Sequence, residues 1–593
     1  MKVSLIGAEL EENLGLRYMA AALESVGHEV LIIPFATGYE IPEVVRQVLE
    51  NDPDITGLSM VFTGRGREFC RLAQELRRSG YRGHLIGGGP FASFNCERLL
   101  KDYPEFDSIG LGEGEELICA LAANLGDLAK VSGICYRRPD GSIALNPSTG
   151  NPDNLDALPF PKRTTFHAYF DKPIASVLTS RGCWRECAFC SINAWYQRGG
   201  GKRFRIRSVE SIVAEMKDLY FQHGVRIFNF QDDNFFLPNP EKATRRFTAL
   251  RSRLREEGVE RIAIAVKARP DSITYDSIRI LDELGLFRVF LGVENASEHG
   301  LRNLNRKSCV GEILNALKIL NEFDVHIAYN LLMFEPETTL DEILVNLRFI
   351  ERHIENPFNF CRAEAYAGTG LEAKLVTERR LLGDYFGFDY RLKDPRSEAF
   401  HQIANYSFFN RNFSDYGLHY FNMQVDFYFQ LLRRFHPELL TQSLRGAVRN
   451  FIKLTNLDTY ECLCSVYDFV AKTDPTDQAR LGGFAGQMRE RVDERSSELL
   501  ARGERLLNWL ETTYERRQSG PVDAPELSPS GRRGAYPATQ AREPGLGNAF
   551  DPLGLTPVPI PYDIFQARLS AERTAHLEKL APSATSSGHL EVH

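Results

Sequence analysis

Short apolar runs closed by turn residues alternate with amphipathic stretches over most of this chain. Residues 2–7 read as a buried strand, 14–27 as a helix, 30–34 as a second strand, 44–51 as a helix and 55–60 as a third strand. Residues 85–89 give strand then turn, 94–101 a helix and 108–111 another short strand. Strands alternating with helices predict an α/β fold with a parallel, doubly wound, Rossmann-like sheet. Ligands of such sheets bind beyond the carboxyl ends of the strands. Residues 146–161, rich in Pro, Asn and Asp, mark a boundary. The alternation then resumes, with strands at 174–178, 226–230, 262–266, 288–292, 326–332 and 362–366. Helices at 208–222, 239–256, 275–284, 310–322 and 339–352 separate them. Six such units suit a partial (βα)6 TIM-like barrel, with its site at the C-terminal strand ends.

Past Leu382 the pattern changes. Aromatic residues crowd 398–470, helical spacing dominates from 418 to 470, and a charged helix spans 485–517. A helical stripe of this kind is more often core than substrate box. From Ser519 onward Pro, Gly, Ser and Arg predict disorder, with a short amphipathic piece at 562–580. The expected domains are therefore 1–145, a linker at 146–170, a barrel at 171–380, an α-helical C-terminal domain at 381–517 and a mostly disordered tail at 518–593.

Composition narrows the function. The 593 residues carry a net charge of −8 without a long basic run, which argues against bulk nucleic-acid binding. The N-terminus enters a strand directly, with no signal-peptide core, and no apolar stretch reaches the length of a membrane span. Eleven cysteines without framework spacing fit a reducing cytoplasm. Eight of them, Cys70, Cys96, Cys119, Cys135, Cys309, Cys361, Cys462 and Cys464, read as small apolar fillers.

The other three, Cys183, Cys187 and Cys190, stand in one loop, Thr179-Ser-Arg-Gly-Cys183-Trp-Arg-Glu-Cys187-Ala-Phe-Cys190-Ser191. A structural zinc site closes with four ligands, and the nearest histidines, His167 and His223, are remote in sequence. A disulfide would need an oxidising compartment. Thiolates are the natural ligands of iron–sulfur clusters. Three of them around a [4Fe–4S] cube leave one iron open. The C-x3-C-x2-C spacing with Phe189 before the last cysteine resembles the radical S-adenosylmethionine (SAM) superfamily, in which the open iron chelates the methionine end of SAM.

The strand ends of the first sheet carry Leu14-Gly15, Ser59 to Arg67 with Thr63, Gly87-Gly88-Gly89-Pro90-Phe91 and Gly112-Glu113-Gly114-Glu115. Taken singly, each reads as plain turn glycines. A dinucleotide-binding domain would want G-x-G-x-x-G after the first strand, where this chain has the acidic Gly7-Ala-Glu-Leu-Glu-Glu-Asn13. Together the loops resemble the cobalamin-binding domain of class B radical SAM enzymes. The D-x-H-x-x-G motif that ligates cobalt elsewhere is absent. The resemblance instead places Arg65 or Arg67 beneath the corrin, where a cation cannot coordinate the metal; solvent exposure is the equal alternative for both.

By the same resemblance, the barrel strand ends become SAM contacts. Asp232 and Asp233 would accept from the SAM ammonium, Lys267 and Arg269 would pair with its carboxylate, and Glu294 would bond a ribose hydroxyl. Arg362-Ala-Glu364-Ala-Tyr366 would lie on the substrate side. A helix cap by Asp233 or Asn234, or ion pairs within the barrel, are the competing readings. Arg65, Asp232 and Tyr366 are the expected catalytic residues. The implied activity is C-methylation, with SAM supplying a methyl group that passes through methylcobalamin to a carbon of a small, possibly aromatic molecule. The length and the extra C-terminal region suggest the tryptophan C2-methyltransferases of thiopeptide antibiotic biosynthesis. Cyclisation or ring rearrangement on the same scaffold is the alternative. Whether SAM is cleaved to a radical stays open. The expected partners are a small-molecule substrate and an external electron donor, with the chain a monomer, no nucleic acid and no membrane.

Overall fold

The computed structural model describes residues 1–9, 12–414 and 417–516. Its first sheet comprises β1 (Lys2–Gly7), β2 (Glu29–Pro34), β3 (Ile55–Ser59), β4 (His84–Gly88), β5 (Ser108–Gly110), β6 (Ile134–Arg137) and β7 (Ile143–Asn146). Their order is β2-β1-β3-β4-β5-β6-β7. The first five run parallel, and β6 and β7 add an antiparallel edge that the sequence did not announce. Winding reverses between β1 and β3, which makes their carboxyl ends the binding crevice. Leu16, Leu23, Leu117 and Leu121 cover one face of the sheet, and Val44, Val48, Leu72, Leu76 and Leu99 the other. Cover on both faces is why the strands read as unbroken apolar runs.

The second sheet contains β8 (Ala168–Tyr169) and β9 (Lys172–Val177). The chain then makes a small antiparallel ribbon of β10 (Ser180–Gly182) and β11 (Phe204–Ile206) before returning as β12 (Ile227–Phe230), β13 (Ala263–Ala268), β14 (Leu286–Glu294), β15 (His326–Phe334) and β16 (Phe358–Arg362). The order β16-β15-β14-β13-β12-β9-β8 forms an arc of six parallel strands with β8 antiparallel at its edge. The helices between strands begin at side-chain caps: Ser208 accepts from Ser211, Asn239 from Lys242, and Thr274 and Thr339 head capping boxes.

Three expectations need correction. The last barrel strand is Phe358–Arg362, not 362–366, because Tyr329 pairs with Phe358 and the pairing ends as Phe334 meets Arg362. Ala363 to Tyr366 is therefore the loop above the strand. The helix expected at 94–101 is two helices, Pro90–Phe94 and Cys96–Asp102, joined at Asn95, whose side chain donates to the Phe91 carbonyl at 2.9 Å. The region expected to be wholly helical opens with a hairpin, β17 (Leu382–Asp384) and β18 (Gly387–Asp389). The hairpin's Tyr385 and Phe386 pack on Phe91 and Tyr103 of the first sheet's helices and loops.

Helices Pro395–Phe413, Leu418–Phe435, Gln442–Lys472 and Gln478–Glu515 follow. Their aromatic residues Phe421, Phe427, Phe429 and Phe435 share one core with Ala263, Ala265 and Phe287 of the barrel. The stripe is thus packing against the barrel floor. The expected disordered tail, 518–593, lies outside the described residues. Among the described residues no helix is long and apolar enough to cross a membrane.

Candidate functional site

The carboxyl ends of both sheets open onto one cavity of about 780 Å3. From the first sheet it is lined by Leu14, Gly15, Ser59, Thr63, Arg65, Gly88, Gly89, Phe91, Gly112 and Glu113. From the barrel side come Phe189, Cys190, Asp233, Lys267, Arg288 and Tyr366. Asn13 starts the first wall by capping the helix from Leu14, its Oδ1 accepting from Leu16 N at 3.2 Å. Gly89 needs its glycine: its φ is +94°, and a Cβ would lie 3.0 Å from the Met60 carbonyl oxygen. At Gly88 a Cβ would meet nothing within 4 Å, so the backbone there borders open space. No histidine lines the cavity among the described residues.

The three-cysteine loop forms the opposite wall. Ala188 N donates to the Leu304 carbonyl at 2.9 Å and Leu371 N to that of Ala188 at 2.8 Å, which holds the loop across the barrel mouth. Gly182 enters it with φ +82°, and a Cβ there would clash with the Arg203 carbonyl. Cys183, Cys187 and Cys190 are half-buried and form no disulfide. Arg269 and Arg306 each donate to the Cys187 sulfur, at 3.4 and 3.3 Å. Burial, with the neighbouring Cys187 adding to it, pushes the Cys190 thiol up to about 12, and burial also raises Cys183. Such thiols stay protonated until a metal claims their sulfur, because a coordinating thiol loses its proton. Three sulfurs in one anchored loop, two guanidinium groups on one of them and a third sulfur facing the cavity fit an iron–sulfur cluster with an open iron.

The two adjacent carboxylates after β12 turn out to have opposite fates. Asp233 lies deep in the protein, yet its side chain is exposed to the cavity; it accepts from Gly182 N at 3.0 Å. Burial raises its pKa, and nearby Lys267 opposes the rise. Asp232 points away from the cavity and is fully buried. Both its oxygens accept from Thr179 N, at 3.1 and 3.2 Å, and it also accepts from the hydroxyls of Thr179 and Ser180. Burial lifts its carboxyl to about 6. The expectation that Asp232 contacts SAM is therefore corrected: it fixes the strand that leads into the cysteine loop.

Two further expected SAM contacts also lie off the cavity wall. Arg269 is tied to Asp271 at 2.9 Å, to the Arg306 carbonyl at 2.6 Å and to Cys187. Glu294 sits at φ +63°, 3.8 Å from Arg306. Both neighbour Arg306, which itself donates to the Cys187 sulfur. Lys267 does face the cavity, 3.4 Å from Gln231 Oε1. Tyr366 lines it as well, near Glu364, whose carboxyl burial lifts to about 7 while the tyrosine opposes the rise.

The two arginines of the loop after β3 also separate. Arg65 is 3% exposed, donates to the Phe35 carbonyl at 2.7 Å and to Glu68 at 2.9 Å, and borders the cavity. Arg67 is out on the surface, paired with Asp384 at 2.6 Å and lying over Phe386, so the alternative that places it beneath a corrin is withdrawn.

Glu113 has an unforeseen role. It pairs with Arg205 and, at 3.2 Å, with Arg181, while Arg181 also holds Glu115. This buried network ties the Gly-Glu-Gly-Glu turn of the first sheet to the ribbon flanking the cysteine loop. Its members lie far apart in sequence, so no local pattern signals it.

A B12-binding domain profile matches residues 8–122, and a radical SAM superfamily profile residues 177–350. An uncharacterised methyltransferase of Pyrococcus horikoshii is 26% identical over 382 residues, covering 62% of this chain and 79% of that protein. The anaerobic magnesium-protoporphyrin IX monomethyl ester cyclase of Synechocystis is 27% identical over 333 residues, covering 54% and 64%. Among solved structures, the cobalamin-dependent SAM radical enzyme OxsB, with aqua-cobalamin and SAM bound, aligns with a TM-score of 0.61 at 17% identity, over 88% of this chain and 82% of its own. The radical SAM methyltransferase TsrM of Kitasatospora setae, with tryptophan and a SAM analogue bound, aligns with a TM-score of 0.55 at 17% identity, over 64% and 76%. These two likenesses show the shared fold. The chain joins a B12-binding domain to a radical SAM domain and is a cobalamin-dependent radical SAM enzyme, whose cofactors are a [4Fe–4S] cluster, SAM and cobalamin.

Proposed function

We propose that the chain is a C-methyltransferase that moves a methyl group from SAM, by way of cobalamin, to a carbon of a small molecule. The observation that carries this reading is the single cavity shared by the first sheet's strand ends and the three-cysteine loop. When bound, cobalamin supplies a methyl carrier, while the cluster and SAM supply the methyl source and redox chemistry.

The chain's own residues do the rest. Cys183, Cys187 and Cys190 hold the cluster. Asp233 takes the SAM ammonium and Lys267 its carboxylate, two opposite charges on neighbouring strand ends. Ser59, Thr63, Gly88 and Gly89 leave room for the corrin. Arg65, on the same wall, would border the corrin without a lone pair to offer the cobalt, since a guanidinium keeps its proton at any working pH. Tyr366 faces the substrate, and the nearby Glu364, with its carboxyl near 7, is the group there that can hold or release a proton near neutral pH. An external reductant primes the enzyme.

An aromatic acceptor such as tryptophan, in secondary metabolism, is the specific proposal; the likeness to the tryptophan-bound TsrM fold supports it. The relation to the Synechocystis cyclase supports the second reading, ring closure or rearrangement without net methylation. Anaerobic incubation of the reduced enzyme with methyl-labelled SAM and candidate acceptors separates the two by product mass. A product carrying the labelled methyl supports methylation; a product cyclised or rearranged without it overturns that reading.

A further inference from the structure

Two buried guanidinium groups converge on a single sulfur. Arg269 follows β13, and Arg306 follows the short helix Glu298–Asn303. They are 6% and 4% exposed and donate to the Cys187 sulfur at 3.4 and 3.3 Å. The backbone aims Arg306 inward. Asn305 and Lys307 on either side of it have φ of +51° and +53°, a left-handed conformation that is uncommon for a residue such as lysine. Asn305 Nδ2 donates to the Glu186 carbonyl and Ala188 N to that of Leu304, at 2.9 Å for the second, so this turn is laid along the cysteine loop. Lys307 is exposed, whereas Arg306 turns back to the Gly292 carbonyl, which accepts from its Nη2 at 2.6 Å and leaves Nη1 to the sulfur. Arg269 is fixed in the same way. Asp271 accepts from its Nε at 2.9 Å and its Nη2 at 3.1 Å, the Arg306 carbonyl accepts from Nη2 at 2.6 Å, and Nη1 meets the sulfur.

The charge around this sulfur does not cancel. Asp271 is shared with Arg185 at 2.6 Å, and Glu294 is 3.8 Å from Arg306. Within this set three guanidinium groups meet two carboxylates. The potential of an iron–sulfur cluster depends on its net charge and on the hydrogen bonds to its sulfurs. Reduction adds one electron, taken from the external one-electron donor, and so one negative charge; no bond breaks and no proton moves. Buried cations bonded to a ligand sulfur favour the more negative state, and burial keeps salt from screening them. We infer that Arg306 and Arg269 raise the reduction potential of the cluster through Cys187, as positioning residues that stand off the cavity wall. The cluster then accepts its electron from a milder donor than it would without them, and is a correspondingly weaker reductant. This inference rests on the cluster ligand set and goes beyond the methyl-transfer reading.

The test is an anaerobic redox titration of the full chain loaded with iron and sulfide, followed by electron paramagnetic resonance of the reduced cluster. Iron content is measured first. Arg306→Gln should shift the reduction equilibrium about tenfold against the reduced cluster, a midpoint about 59 mV lower for one electron. Arg269→Gln should shift it in the same direction. Arg306→Lys, which keeps the charge but loses the planar fork, should shift it by less than Arg306→Gln. Lys307→Gln removes a neighbouring but exposed charge and should change the midpoint much less. Unchanged midpoints in both glutamine variants of the arginines overturn the inference. So does a Lys307→Gln shift as large as that of Arg306→Gln, which would make the effect one of surface charge. If neither glutamine variant loads iron, Arg306→Lys carries the test, and a midpoint equal to or above wild type overturns the inference. A wild-type chain that loads no iron contradicts the ligand set, and this inference with it; an unshifted potential in loaded variants leaves the ligand set standing.

Discussion

Replacing Asp232 or Asp233 by Ala should give opposite outcomes, although the two are adjacent. Asp232→Ala strands three buried donors: Thr179 N–H and the hydroxyls of Thr179 and Ser180. Each unpaired donor costs about 1–3 kcal/mol. Against this stands relief of the buried carboxylate. With its carboxyl near 6 instead of its ordinary 3.8, the ionised form costs about 3 kcal/mol at neutral pH. The sign follows from the raised pKa. The wild type keeps this contribution in full below 3.8 and loses it as pH rises through 6. The relief gained by the variant is therefore about 1–2 kcal/mol greater at pH 8 than at pH 5. The net loss should be about 3 kcal/mol at pH 5 and about half that at pH 8. Thermal unfolding of the metal-free chain followed by circular dichroism measures it, with a fall on the order of 5 °C at pH 5. Asp233→Ala should leave this midpoint unchanged or raised and instead weaken SAM binding. If Asp232→Ala unfolds with the wild type at pH 5, or loses more stability at pH 8 than at pH 5, the reasoning fails. It fails equally if SAM affinity follows Asp232 and ignores Asp233.

The remaining predictions concern the cofactors and their walls. The triple variant Cys183→Ala, Cys187→Ala, Cys190→Ala should lose the brown chromophore and the roughly four irons of a single cube; iron and sulfide content equal to wild type would refute the ligand set. Gly88→Trp should fill open space, so the purified protein keeps its iron but loses corrin absorbance; retained cobalamin would contradict the assignment of that wall. Because no histidine lines the cavity among the described residues and Arg65 has no lone pair, cob(II)alamin in the wild type should show no nitrogen superhyperfine splitting by electron paramagnetic resonance. A spectrum with axial nitrogen coordination would sink that assignment. Glu113→Gln should weaken its buried ion pair with Arg205 and lower the unfolding midpoint, and adding Arg205→Gln should cost less than its own single effect, as coupled partners do; simple additivity would show that the network does not act as a unit.

What could be read in the sequence follows from what is local. Buried parallel strands are continuous apolar runs, so β1, β3, β9 and β12 to β15 stand out, and the cysteine ligands share one loop. β16 is displaced because its boundary is set by pairing with Tyr329, a partner well outside any short window. Asp232 and Asp233 are indistinguishable as letters; only the fold turns one towards Thr179 and the other towards the cavity. The Glu113–Arg205 pair, the packing of Phe386 on Phe91 and the place of Arg288 at the barrel floor all join residues from different units of the chain, where no spacing rule applies.

The central claim is that one cavity holds cobalamin facing a cluster-bound SAM. Metal analysis of a single anaerobically loaded preparation of the full chain tests it most directly. The account predicts about four irons per chain, cobalt equimolar with the chain, and loss of the cobalt alone in Gly88→Trp. Iron without cobalt in the wild type, or loading of either cofactor only at the expense of the other, would contradict it.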